Sequence, residues 1–293
     1  MALLLGLPYV ALAGQPVPVV NALAGGTESE PEQTEPEGLL PALTVDSCQD
    51  RISSSLSQVY DDSYRLPEEI SVLSWNIYKG QREALLDDLT LLSHEADMVL
   101  LQEAMLDKRY LGLKPFWRFA PGYKVRDLDS GVLTLSQWPA AVHCHFTHVE
   151  PWLRTPKATN LVTYLLADGQ QLLAVNMHAI NFALGLRDYR AQLADAVEIM
   201  TNHEGPIIFA GDLNSWSESR RDLVRSLLQP LGLHEASFAT DNRTRTFGLA
   251  LDQLWLRGVG VNDARVPLYT SSDHNPLFVD LTFVTDRDLV HAP

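Results

Sequence analysis

Short apolar runs, each closed by an acid, an amide or a histidine, set the strongest constraint on how this chain folds. Ile70–Trp75 runs into Asn76, and Asp97–Leu101 runs into Gln102 and Glu103. Leu172–Val175 leads to Asn176 and His178, while Pro206–Gly211 leads to Asp212 and Asn214. Nearer the C-terminus come Leu251-Asp252-Gln253 and Ser272-Asp273-His274. Apolar runs of this length read as buried strands, and layered α/β proteins bind ligands at strand ends. Converging strands would gather these polar groups in one pocket. That inventory suits a hard divalent cation and phosphate chemistry.

Between these runs, Arg82–His94 carries Leu85, Leu89 and Leu92 at helical spacing, and Leu186–Asn202 does the same with Tyr189, Leu193, Val197 and Met200. Strands are expected at Gly131–Ser136, Ala141–Phe146 and Thr159–Leu166, and Asp168-Gly169 turns the last of these into Gln171–Asn176. Gln253–Leu256, Val259–Val266 and Pro276–Phe283 complete the set. Strands followed by helices, twice over, suit an α/β four-layer sandwich of two mainly antiparallel sheets with helices outside. The segments 115–121 and 151–154 interleave aromatic residues with arginine and read as packing loops or base-stacking loops.

Residues 1–66 differ in texture. An apolar start and a small-residue stretch at Ala11–Gly14 resemble an export signal, but no Lys or Arg precedes Arg51, and Pro8 interrupts the run. A cytoplasmic address is therefore expected, with a periplasmic or secreted one as the alternative. Gly25–Gly38 reads as an acidic, disordered linker, and Asp50–Tyr64 as room for a short helix. The domain proper is expected at 67–286, with a short tail at 287–293. No apolar run reaches the roughly 18–20 residues that a membrane-spanning helix needs.

The formal charge is −15, and residues 1–66 supply about half of it through nine acids against two bases. That balance weighs against long duplex DNA, whose binding relies on basic surface. The two cysteines, Cys48 and Cys144, are too few for a disulfide scaffold. Strand alternation puts Val142, Cys144 and Phe146 on one face and turns His143 and His145 toward solvent or a helix layer. The histidine spacing matches no common structural zinc pattern.

The stretches SWNIYKG, LLQEAM, SGVLTLS, VNMHAINF, FAGDLNSWS, TFGLALDQLWL and SDHNPLFVDL resemble, in order, the motifs of the endonuclease/exonuclease/phosphatase superfamily. They extend from about Val72 to Leu281, and three of them are similar to the bacterial YafD-type subgroup. The resemblance implies the same four-layer sandwich and a phosphoesterase dependent on Mg²⁺ or Mn²⁺. It implies a phosphodiester substrate, with nucleic acid nominal and a phospholipid headgroup or small phosphorylated metabolite as the alternatives. A non-catalytic binding protein retaining the fold is the rival class, and a monomer is expected.

By the same resemblance, Glu103 and Asn76 hold the metal with Asp273 beside it. Asp212 helps to activate the attacking water, Asn214 positions it, and His178 bonds a non-bridging phosphate oxygen. Asp252 orients His274, and Lys157 is the candidate basic contact to phosphate. Trp216 is expected to wall the cleft. Repair nucleases carry an acid two residues after the first asparagine, where this chain has Tyr78.

Overall fold

Strands form where the sequence alternates or runs apolar, and they build two six-stranded sheets, one from the N-terminal strands joined by the last two and one from the middle of the chain. The computed structural model describes residues 40–55 and 64–284. In chain order the first half runs α1 (Val45–Ser55), β1 (Glu69–Asn76), α2 (Leu85–Glu95), β2 (Met98–Met105), α3 (Lys108–Leu111), β3 (Phe116–Val125) and β4 (Leu128–Ser136). There follow β5 (Val142–Val149), β6 (Pro156–Leu165), β7 (Gln171–His178), α4 (Arg187–Asn202), β8 (Ile207–Asp212) and α5 (Glu218–Leu228). The chain closes with β9 (His234–Glu235), β10 (Arg245–Thr246), β11 (Leu249–Ala250), β12 (Asp252–Arg257), β13 (Val259–Arg265) and β14 (Leu277–Phe283).

The two sheets are ordered β13-β14-β1-β2-β4-β3 and β5-β6-β7-β8-β12-β9. Each is antiparallel except for one central parallel pair, β1 with β2 and β7 with β8. A parallel pair needs a crossover, and α2 and α4 supply it. Three apolar layers follow. Val72, Leu100 and Val279 meet Val162, Ala174 and Leu254 between the sheets. Leu85, Leu89 and Leu92 of α2 cover the outer face of the first sheet. Tyr189, Leu193 and Met200 of α4, with Val224 of α5, cover the second. The result is the four-layer α/β sandwich.

Several local readings change. Phe116–Val125 is not a loop but edge strand β3. Pro121 sits at its register shift, where an edge strand tolerates the missing N–H. His143 does not face solvent; it is 1% exposed, and the nearby Arg118 charge adds to burial in disfavouring its protonation. The alternation was right, but the face opposite Cys144 turns inward here. No zinc-type histidine–cysteine group occurs among the described residues.

The two cysteines are joined. The Cys48–Cys144 bond spans 96 residues and ties α1 to β5. Ala42 pairs with Cys144 along the outer edge of β5, so residues 40–55 cover an edge strand that would otherwise offer unpaired backbone groups. The expected linker and the tail at 287–293 lie outside the described residues.

Candidate active site

The C-terminal ends of both parallel pairs point to one place. Asn76 ends β1 and pairs in register with Gln102 of β2, next to Glu103. His178 ends β7 opposite Asp212, the last residue of β8. Asp252 opens β12 opposite Asp212 on its other side. The register thus places two carboxylates and an imidazole in one row across three strands.

Backbone irregularities aim the side chains. The β2–β4 ladder slips between Leu101 and Ala104, and Glu103 in that bulge adopts φ 52°. Asn214 has φ 47°. Such left-handed residues concentrate where the surrounding structure imposes a functional geometry. Gly211 has φ 149°, and a Cβ there would lie 1.9 Å from the Met177 carbonyl oxygen. Only glycine lets β8 approach β7 closely enough to deliver Asp212.

His274 Nδ1 lies 2.7 Å from Asp252 Oδ2. The indole of Trp75 donates to the His274 carbonyl at 2.8 Å, and the Ser272 hydroxyl donates to the Asn76 carbonyl. These two bonds fasten the 272–274 loop to β1. His274 Nε2 is 3.9 Å from Asp212 Oδ2, and His178 Nε2 is 3.6 Å from the same oxygen. The Asn76 amide donates to it at 3.0 Å, while the Asn214 N–H donates to Asp212 Oδ1. Lys157 Nζ sits 2.9 Å from His178 Nε2. Lys79 forms an ion pair with Glu103, whose other oxygen is 3.9 Å from His178.

Burial dominates the protonation of this cluster. It raises Asp212 to about 6, with Asp252 adding and His274 opposing. It holds His178 well below the usual imidazole range, helped by the Lys157 and His274 charges, and it lowers Lys157. At His274 burial favours the neutral ring, but Asp252 and Asp212 together outweigh it and raise the pKa to about 10. The site therefore holds a neutral His178 beside a cationic His274.

Asn76, Glu103, Lys157, His178, Asp212, Asn214, Asp252 and His274 thus lie in one cluster. Asp273 is exposed, with the Ser272 hydroxyl 3.3 Å from its carboxylate. Trp216 stands to one side, lining an adjoining cleft that also touches Asn214. Four residues of the site region escaped the sequence reading. Tyr123 lines a small cleft with Glu103, Lys157 and His178, and Gln192 donates to the His178 carbonyl. Buried Glu150 accepts from the Asn181 and Phe182 N–H groups. Arg220, stacked between Tyr189 and Trp216, donates to the carbonyls of Ile180, Asn181 and Asn214. A charged residue on the buried stripe of α5 was the available signal for Arg220.

Oxygen donors at Glu103, Asn76 and Asp212 fit a small hard cation. Asp212, Asp252 and His274 also offer ligand atoms within 4.8 Å of one another.

The chain is similar in sequence and in fold to known proteins. Residues 73–274 match the Endonuclease/Exonuclease/phosphatase family. A UPF0294 protein of Vibrio vulnificus (strain CMCP6) is 41% identical over 74% of this chain and 78% of its own length. A UPF0294 protein of Yersinia enterocolitica is 38% identical over 73% of this chain and 84% of its own. Among solved structures, a mannosyl-6-phosphatase of Bacteroides thetaiotaomicron superposes with TM-score 0.55 at 14% identity, covering 73% of this chain and 100% of that one. Truncated Caenorhabditis elegans TDP2 gives 0.52 at 20% identity, covering 73% and 98%. The chain belongs to the endonuclease/exonuclease/phosphatase family.

Proposed function

We propose that this protein is a Mg²⁺- or Mn²⁺-dependent phosphoesterase that hydrolyses a phosphodiester by in-line attack of water. The supporting observation is the meeting of Glu103, His178, Asp212 and the His274–Asp252 pair at the ends of two parallel strand pairs. Glu103 and Asn76 would hold the metal. When bound, the cation supplies charge neutralisation on the phosphoryl oxygens.

The residues account for the remaining requirements. Lys157 and His178 face the phosphoryl group from one side. Asn214 orients the water, and Asp212 with His274 handles its proton and that of the leaving oxygen. Asp252 keeps Nε2 of His274 directed at this exchange. The acidic balance of the chain favours substrates other than long duplex DNA. The cystine supports residence in an oxidising compartment over the cytoplasm, because such bonds persist mainly there. A monomer is the assembly proposed.

The test is turnover on bis-p-nitrophenyl phosphate, single-stranded DNA, RNA, phospholipids and sugar phosphates, each with Mg²⁺, Mn²⁺ or EDTA. EDTA-sensitive hydrolysis that disappears in Glu103→Ala and His274→Ala is expected. Activity indifferent to EDTA, or retained in both variants, would defeat the reading.

A further inference from the structure

Beside Asn214 lies a cleft of about 400 Å³ lined by Trp152, Phe182, Trp216, Phe247 and Leu251. Its outer rim comes from the β5–β6 loop, the β7–α4 loop and the β10–β11 turn. Apolar side chains crowd these tips. Phe247 is 86% exposed, Trp152 60% and Phe182 46%. Leu153 and Leu184, chain neighbours of lining residues, are 58% and 76% exposed. A convergence of large apolar groups on solvent marks a contact surface rather than ordinary scatter.

The charge at this rim runs against the rest of the chain. The stretches 149–155, 181–187 and 245–249 contain one acid, Glu150, and it is buried. Each stretch also carries an exposed arginine: Arg154, Arg187 or Arg245. Arg245 pairs with Asp241, so Arg154 and Arg187 supply most of the local positive charge. In a chain of formal charge −15, this is a local cationic and apolar face.

We infer that these three loops dock on an anionic lipid surface, and that the cleft takes the apolar part of an amphiphilic phosphoester whose phosphate reaches Asn214 and His178. Trp152 and Phe182 suit the boundary between headgroup and acyl chain. Leu153 and Leu184 have no π-face on which a base could stack, which sets lipid above single-stranded nucleic acid. The identity of the substrate rests on the phosphoesterase reading; the docking surface does not.

The experiment is co-sedimentation of the full chain with vesicles of phosphatidylcholine alone or mixed with phosphatidylglycerol. A Leu153→Glu/Leu184→Glu variant and a single-stranded DNA arm run in parallel. Binding to the mixed vesicles is expected, weakened roughly tenfold or more in the double variant and reduced by added salt. The variant should match the parent on soluble bis-p-nitrophenyl phosphate and in thermal unfolding, while losing hydrolysis of vesicle-borne phospholipid. Failure of the parent to bind mixed vesicles would overturn the inference. Equal vesicle binding by parent and variant would do so too, as would loss of DNA binding rather than vesicle binding in the variant. Variant-sensitive vesicle binding without hydrolysis of any phosphoester would support the docking surface and overturn the phosphoesterase reading instead.

Discussion

At Nδ1, His274 meets Asp252 at 2.7 Å, which leaves Nε2 facing Asp212. If that imidazole handles protons, His274→Ala should lower kcat by about 10²–10⁴-fold in single-turnover assays. Asp252→Asn tests the pairing differently. Asp252 and Asp212 raise His274 to about 10 against the effect of burial, so it is protonated at neutral pH. Removing one acid lowers that pKa, and the alkaline limb of the pH–kcat profile should move to lower pH. An unmoved limb would exclude Asp252 as the group that sets the protonation of His274. Arg220 acts through other groups, binding carbonyls on both sides of the cleft. Arg220→Met leaves those acceptors unpaired and should cost on the order of 3 kcal/mol of stability, read by urea unfolding. The pair His274–Asp252 was legible in sequence because both sit in recognisable short motifs. Glu150 was not, since the Asn181 and Phe182 N–H groups that it binds follow no motif, and Arg220 left only the signal of a charge on the buried stripe of α5.

The elements carry a second set of consequences. Strand β8 reaches β7 only because Gly211 has no Cβ to meet the Met177 carbonyl. Gly211→Ala should therefore displace Asp212 and abolish turnover while lowering the unfolding midpoint; a variant with normal kcat would show that the register is less constrained than the geometry indicates. Helix α1 is held to β5 by the cystine across 96 residues. Closing a loop of that length restricts the unfolded chain, and Cys48→Ala should cost about 2–5 kcal/mol in urea titrations. Long apolar or periodic segments such as α4 and β7 were readable directly. Strand β3 was not, because Pro115 just before it and Pro121 within it resemble loop punctuation until the strand is known to lie at an edge.

For the whole molecule, loss of stability in acid follows from histidines kept neutral inside. Burial lowers His143 to about 3 and His203 to about 4. Above the unfolded value of about 6.5 neither state binds the proton, and the contribution is fully present. As pH falls below that value the unfolded chain takes up protons that the folded chain refuses. Stability then drops, with a slope approaching about 1.4 kcal/mol per pH unit for each histidine, until the folded values are reached. Urea midpoints measured from pH 7 to pH 4 should show this decline, and His143→Gln should make it shallower. An unchanged slope in that variant would mean His143 is accessible to protons in the folded state.

Periodicity and composition determined most of the strands, the crossover helices and the kinds of polar group at the strand ends, because those depend on neighbours a few residues apart. Short motifs, read through family resemblance, named most members of the cluster. Only the tertiary structure decided which ends meet. The parallel pairs bring Asn76 beside Asp212 across 136 residues, and the bulge at Glu103 turns its carboxylate inward. The Cys48–Cys144 bond and the apolar rim around Trp152, Phe182 and Phe247 belong to the same class of fact. Each arises from surfaces that become neighbours only when separate loops and layers pack, and local sequence carries no record of that proximity.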